Sequence, residues 1–301
     1  VKAADPTNSG TNSGIQNYDF ICTFGFTITA SWSRAAEHFM PASGISRRPS
    51  HLMDRPHFKP SAMDNILEQV RRALRENANE KERLSGERFF REEIRLYGMK
   101  ARMVIQIAKA YSQEITPLAK RELFALCDDL WESGYFEEAA IACEWAYTRR
   151  RSFEPDDFPV FEKWVTHNVS NWATCDTLCN HTIGTFMEMY PAYLAELKKW
   201  AHSGNRWVRR AAAVTLIVPA RKGLFLPDIF EIARIMLTDP DDMVQKGYGW
   251  MLKVASQSGP ATQTAVLDFV MENKKVMPRT ALRYAIEKMP PDMKKMAMAR
   301  P

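Results

Sequence analysis

The chain lacks any apolar run of the roughly 18 to 20 residues that a membrane-spanning helix needs. Its most apolar early stretch, "FICTFGFTITA" at residues 20–30, is short and carries Thr throughout. A soluble protein with no membrane partner is expected. Cysteine is sparse and unpatterned: Cys22, Cys127, Cys143, Cys175 and Cys179 are an odd set with no CxxC spacing and no secretory signal ahead of them. That usage fits reduced thiols and a cytoplasmic location. Strand-like alternation is nearly absent beyond Met63, which excludes β architectures for the bulk of the chain. No cofactor motif is present, and neither a cofactor nor a metal is expected.

What the sequence does contain is helical. Residues 1–62 stand apart: "DPTNSGTNSG" and "PASGISRRPSHLMDRPHFKPSA" are turn and linker compositions, expected as a disordered tail or as sequence ahead of the true start. Met63 opens the amphipathic stretch "MDNILEQVRRALREN", and residues 63–301 are expected to form one all-α domain. Periodicity predicts helices at about 63–77, 86–97, 100–112, 117–132, 135–150, 156–168, 171–183, 191–202, 205–218, 225–237, 241–257, 260–273 and 278–288.

These hairpins repeat. Aligning "RWVRRAAAVTL" with "DMVQKGYGWML" and "TALRYAIEKM" puts Arg210, Lys246 and Arg283 in one column, and extension backward adds Asp176. The intervals are 34, 36 and 37 residues (210 − 176, 246 − 210, 283 − 246). That period belongs to HEAT-like pairs, each burying its apolar face only by stacking on its neighbours in a curved helical-repeat solenoid.

In such a solenoid the second helix of each pair lines the concave side, where extended ligands bind. Trp172, Arg206 and Trp250 lie one turn from members of the column. The expected result is a basic groove holding one carboxylate and two aromatic rings, with Arg206, Arg209, Lys246 and Arg283 as candidate phosphate contacts. The net charge of +5 permits an anionic partner. Two plainer readings compete: Arg and Lys at this helix position often make interhelical salt bridges, and Trp in a helix is often core. For Cys175 and Cys179, on one helical face, packing competes with a metal site that would need two further ligands.

The segments "NWATCDTLC", "NRWVRRAAAVTLI" and "QKGYGWMLKVA" resemble the DNA alkylation repair enzymes of the AlkD type, HEAT-like DNA glycosylases, and "ERFFREEIRLYGMKARMVIQIAK" resembles the N-terminal portion of that family. The similarity spans about residues 64–290. The family motif carries a Trp four residues before a catalytic Asp, an Arg on the next inner helix and a second Trp on the one after. Trp172, Asp176, Arg210 and Trp250 fill these positions. The chain departs from some members in having Asn171 before the first Trp and Ala173 after it.

The resemblance implies hydrolysis of the N-glycosidic bond of N3- or N7-alkylated purines in duplex DNA, with no base flipping and no cofactor; a monomer is expected. A cationic purine is already a good leaving group, so the reaction needs a carboxylate to stabilise an oxocarbenium-like sugar and guide a water. Electron-rich Trp faces suit the same charge, and Arg210 would hold a phosphate. The competing class is a non-catalytic HEAT-like scaffold that binds DNA structures or a protein.

Overall fold

The computed structural model describes residues 62–299. The expectation of a tail over residues 1–62 falls almost wholly outside that range. Among the described residues there is no strand, only an isolated bridge between Arg95 and Tyr135, and the chain runs as stacked helical hairpins. No described helix is long and apolar enough to cross a membrane.

The repeat is written in the helix caps. Asn171 opens helix Trp172–Thr177 with its side chain accepting from the amides of Ala173 and Thr174, both at 3.0 Å. Asn205 opens Arg206–Val214 by accepting from the Trp207 amide at 2.9 Å, and Asp241 opens Asp242–Ala255 by accepting from Met243 at 2.8 Å. Such caps satisfy amide donors that the first helical turn leaves without partners. Pro278 precedes Arg279–Ala285. Asp176, Arg210, Lys246 and Arg283 each lie five residues beyond these four caps. The column read from the sequence is therefore a column of structurally equivalent positions.

The four helices pack on one another in succession, with Leu194–Trp200, Leu226–Ile235 and Pro260–Asn273 as their outer partners. Small residues set the spacing. Ala211, Ala212 and Ala213 are fully buried in Arg206–Val214. A Cβ on Gly249 would come within 2.7 Å of the Tyr284 Cβ and 2.8 Å of the Ala281 carbonyl oxygen, so the Arg279–Ala285 helix sits where only glycine leaves room.

Several features differ from the periodicity, among them a break that divides the helix expected over 205–218 into Arg206–Val214 and Ile217–Arg221. The helix expected over 86–97 is instead the end of Glu80–Glu87 followed by an irregular segment, and a C-terminal helix Pro291–Met298 was not anticipated. The helices expected at 156–168 and 171–183 both pass into a π-helical turn, at Trp164–Asn168 and Leu178–Ile183. The irregular segment has a physical cause. Its Tyr97 and Gly98 amides donate to the buried Glu137 carboxylate at 3.0 and 2.9 Å, and Gly98 adopts φ +86°, a left-handed conformation that ends any helix there.

Candidate functional site

Helix Trp172–Thr177 presents Trp172 and Asp176 on one face, four residues apart. The next inner helix brings Arg210 directly onto Asp176: Nε donates to Oδ1 at 2.9 Å and Nη2 to Oδ2 at 2.8 Å, a bidentate fork. Both side chains are buried, Asp176 at 6% and Arg210 at 0% exposure. The remaining Nη1 donates to the Met243 carbonyl at the start of the third inner helix. Gly247, one turn further on, lies against the Arg210 stem: a Cβ there would stand 3.3 Å from Cγ. Three consecutive repeats thus fix one guanidinium, and that guanidinium fixes one carboxylate.

Burial pushes the Asp176 carboxyl above the ordinary aspartate range, while the charge and hydrogen bonds of Arg210 pull against that rise. Trp172 is nearly buried, and its ring stacks on Phe90 from the irregular 88–100 segment, with centroids 5.7 Å apart. Trp250 is half-buried one turn beyond Lys246.

The surrounding cations are not free. Arg209 donates to both carboxylate oxygens of Asp239, at 2.6 and 3.2 Å. Lys246 contacts Asp242 at 3.1 Å. Arg206 stands 3.1 Å from Asp241 and 3.4 Å from Glu92, with its guanidinium carbon 4.5 Å from the centre of the Trp207 ring. Asp242 also takes Arg91 at 3.2 Å. Burial raises the Asp242 carboxyl, but Lys246, Arg91 and Arg206 together bring it below the ordinary aspartate range. The expectation of a single carboxylate amid cations is thereby corrected. Glu92, Asp239, Asp241 and Asp242 neutralise most of the basic column, and Arg210 faces Asp176 rather than solvent. Arg283 differs: it is exposed and makes no ion pair among the described residues.

Cys175 and Cys179 are fully buried, and burial drives the Cys175 thiol well up. Among the described residues, no group of three or more His, Cys, Asp or Glu side chains could hold a metal ion. Phe90, Glu92 and Gly247 escaped the sequence reading. Gly247 did carry a signal: a glycine inside a helix costs about 1 kcal/mol relative to Ala, so it marks a close approach.

A buried carboxylate gripped by a guanidinium from the next repeat, flanked by Trp, on stacked helical hairpins, defines a helical-repeat protein with a built electrostatic site. The chain belongs to the DNA alkylation repair enzyme family, whose pattern matches residues 70–289. Among solved structures it is similar to a predicted DNA alkylation repair enzyme from Enterococcus faecalis, with 16% identity and a TM-score of 0.64 over 71% of this chain and 98% of that one. At that identity the likeness speaks for the fold. No curated protein matches the chain.

Proposed function

We propose that this protein is a DNA glycosylase that hydrolyses the N-glycosidic bond of N3- or N7-alkylated purines in duplex DNA, with Asp176 as the carboxylate that faces the sugar. Membership of the DNA alkylation repair family supports a repair role. The observation that carries the finer reading is the Asp176–Arg210 pair, because a carboxylate locked in place by two hydrogen bonds costs no reorganisation when positive charge develops.

In this mechanism the C1′–N bond breaks and its electron pair leaves with the purine. The purine's formal positive charge is cancelled, so no general acid is needed. Positive charge moves to the sugar, where the Asp176 carboxylate and the electron-rich face of Trp172 stabilise it, with Trp250 as a second ring. A water adds its oxygen to C1′ and loses its proton to Asp176 or to solvent. Lowered dielectric around the buried pair strengthens the interaction. Arg210 acts as a positioning residue, holding the carboxylate ionised and oriented.

One observation favours a second reading. Asp176 is satisfied on both oxygens and only 6% exposed, as an interhelical bridge in a DNA-binding or protein-binding scaffold would be. Incubating the protein with methylated duplex DNA in the presence of EDTA, followed by analysis of released bases, separates the two. Release of 7-methylguanine or 3-methyladenine supports the glycosylase; duplex binding without release supports the scaffold.

A further inference from the structure

We propose that residues 89–92 form a strap that occupies the DNA-binding face of the free protein and is displaced by the duplex, with Glu92 standing on Arg206 where a phosphate would bind. This rests on the reading that duplex DNA binds over the inner helices.

The strap touches three successive inner helices. Phe90 stacks on Trp172 of the first, Glu92 lies 3.4 Å from Arg206 of the second, and Arg91 lies 3.2 Å from Asp242 of the third. Its two ends are pinned differently from its middle. Downstream, the Arg95 carbonyl accepts from the Phe136 amide at 2.9 Å, Tyr97 and Gly98 donate to buried Glu137, and the Tyr97 hydroxyl donates to Glu138 at 2.7 Å. Upstream, the Phe89 and Phe90 amides close onto the carbonyls of Gly86 and Glu87. Between them, the amides of Arg91, Glu92, Glu93 and Ile94 donate to no acceptor among the described residues. The middle is held by the Phe90 ring, stacked on Trp172 and tilted against Phe136 with centroids 5.9 Å apart, and by two partly exposed ion pairs; the ion pairs are the weak kind of attachment.

Arg206 is the second, independent observation. Its Nε is buried and has no hydrogen-bond partner among the described residues, although Asp241 lies 3.1 Å away, and the contact with Glu92 is longer than a good charged hydrogen bond. The guanidinium is ion-paired but not well hydrogen-bonded, and a phosphate, whose oxygens can accept from its fork, would supply what the two carboxylates do not. A phosphate on Arg206 and the Glu92 carboxylate exclude each other. Removing Glu92 from Arg206 carries Phe90 off Trp172 and uncovers the ring assigned to the sugar. One event opens both the phosphate contact and the aromatic wall.

The test compares the full chain with Glu92→Gln and Phe90→Ala by fluorescence anisotropy on a labelled undamaged duplex, with hydrogen exchange of the Phe89 and Phe90 amides followed with and without that duplex. Glu92→Gln should bind about 3- to 10-fold tighter, since it removes a competing charge near the phosphates, and the Phe89 and Phe90 amides, the hydrogen-bonded ones of the segment, should exchange faster in the complex than in the free protein. Tighter binding by Phe90→Ala adds support, as does duplex binding by Glu92→Gln where the parent shows none. If the parent binds and excises but Glu92→Gln has the same affinity and Phe89 and Phe90 exchange does not rise with duplex, the segment is a fixed brace and the strap is overturned while the glycosylase reading stands. If neither protein binds at low salt, the DNA reading fails and the strap with it.

Discussion

At the scale of single residues, the Asp176–Arg210 pair carries both a stability cost and a chemical purpose. Breaking a buried ion pair by removing one partner strands the other charge, typically at about 3–5 kcal/mol. Arg210→Ala and Asp176→Asn should therefore each lower the melting temperature markedly. In a double-mutant cycle their combined loss should fall well short of the sum, because the second substitution removes a charge already stranded. Denaturant titration of the four proteins checks this; additive losses would mean the two side chains do not act as a unit. The raised Asp176 carboxyl gives a pH prediction as well. A carboxyl that holds its proton more tightly in the folded state binds more protons there than in the unfolded chain. Its contribution to stability is thus largest below the ordinary aspartate value of 3.8 and declines as pH rises through the folded value. Excision runs the opposite way: it needs the carboxylate and should fall as pH drops, with an acid limb above 3.8. Arg210→Gln removes the opposing charge and should move that limb upward. The pH profile of the single-turnover rate measures both. An acid limb unmoved by Arg210→Gln would separate the titrating group from this pair.

At the scale of elements, the repeat was legible because it is enforced locally. Asn171, Asn205 and Asp241 cap successive inner helices with the spacing seen in the column five residues downstream. Equivalent positions on stacked helices are also neighbours. Opposite charges at Asp176 and Arg210 therefore meet each other before they meet a ligand. The segment over 86–97 was illegible for a different reason: "ERFFREEIRLYG" has good helical periodicity, and its conformation is dictated by Glu137 and Glu138, about forty residues away in sequence. Tertiary contacts override propensity of that size. The inner-helix spacing also predicts a stability effect. Gly249→Ala would drive a Cβ into the Tyr284 Cβ and the Ala281 carbonyl, costing about 1–3 kcal/mol as an overpacked helix contact. Thermal melts check this, and an unchanged midpoint would show that the two helices can part freely.

At the scale of the whole molecule, charge is distributed unlike the basic groove expected from the column. The central cations are spoken for by Glu92, Asp239, Asp241 and Asp242, whereas Lys275, Arg279 and Arg283 near the C-terminal end are exposed and make no ion pair among the described residues. Phosphate contacts that release counterions should concentrate there: Arg283→Ala is expected to flatten the log–log dependence of duplex affinity on salt by about 0.9, one phosphate's share. Arg209→Ala, whose guanidinium belongs to Asp239, should leave that slope unchanged. Salt titrations of the two variants decide it, and equal slopes would return the electrostatics to the centre of the column. The glycosylase mechanism depends on the Asp176 carboxylate acting on the sugar of an alkylated nucleotide. Its most direct test is the single-turnover release of 7-methylguanine from duplex DNA by the parent and by Asp176→Asn, at a temperature where circular dichroism shows both folded. Asn keeps the shape and removes the charge, so the rate should fall about 10²-fold or more, the scale of losing one preorganised electrostatic group, while duplex affinity holds or rises. Release by folded Asp176→Asn at the parent's rate would contradict the account.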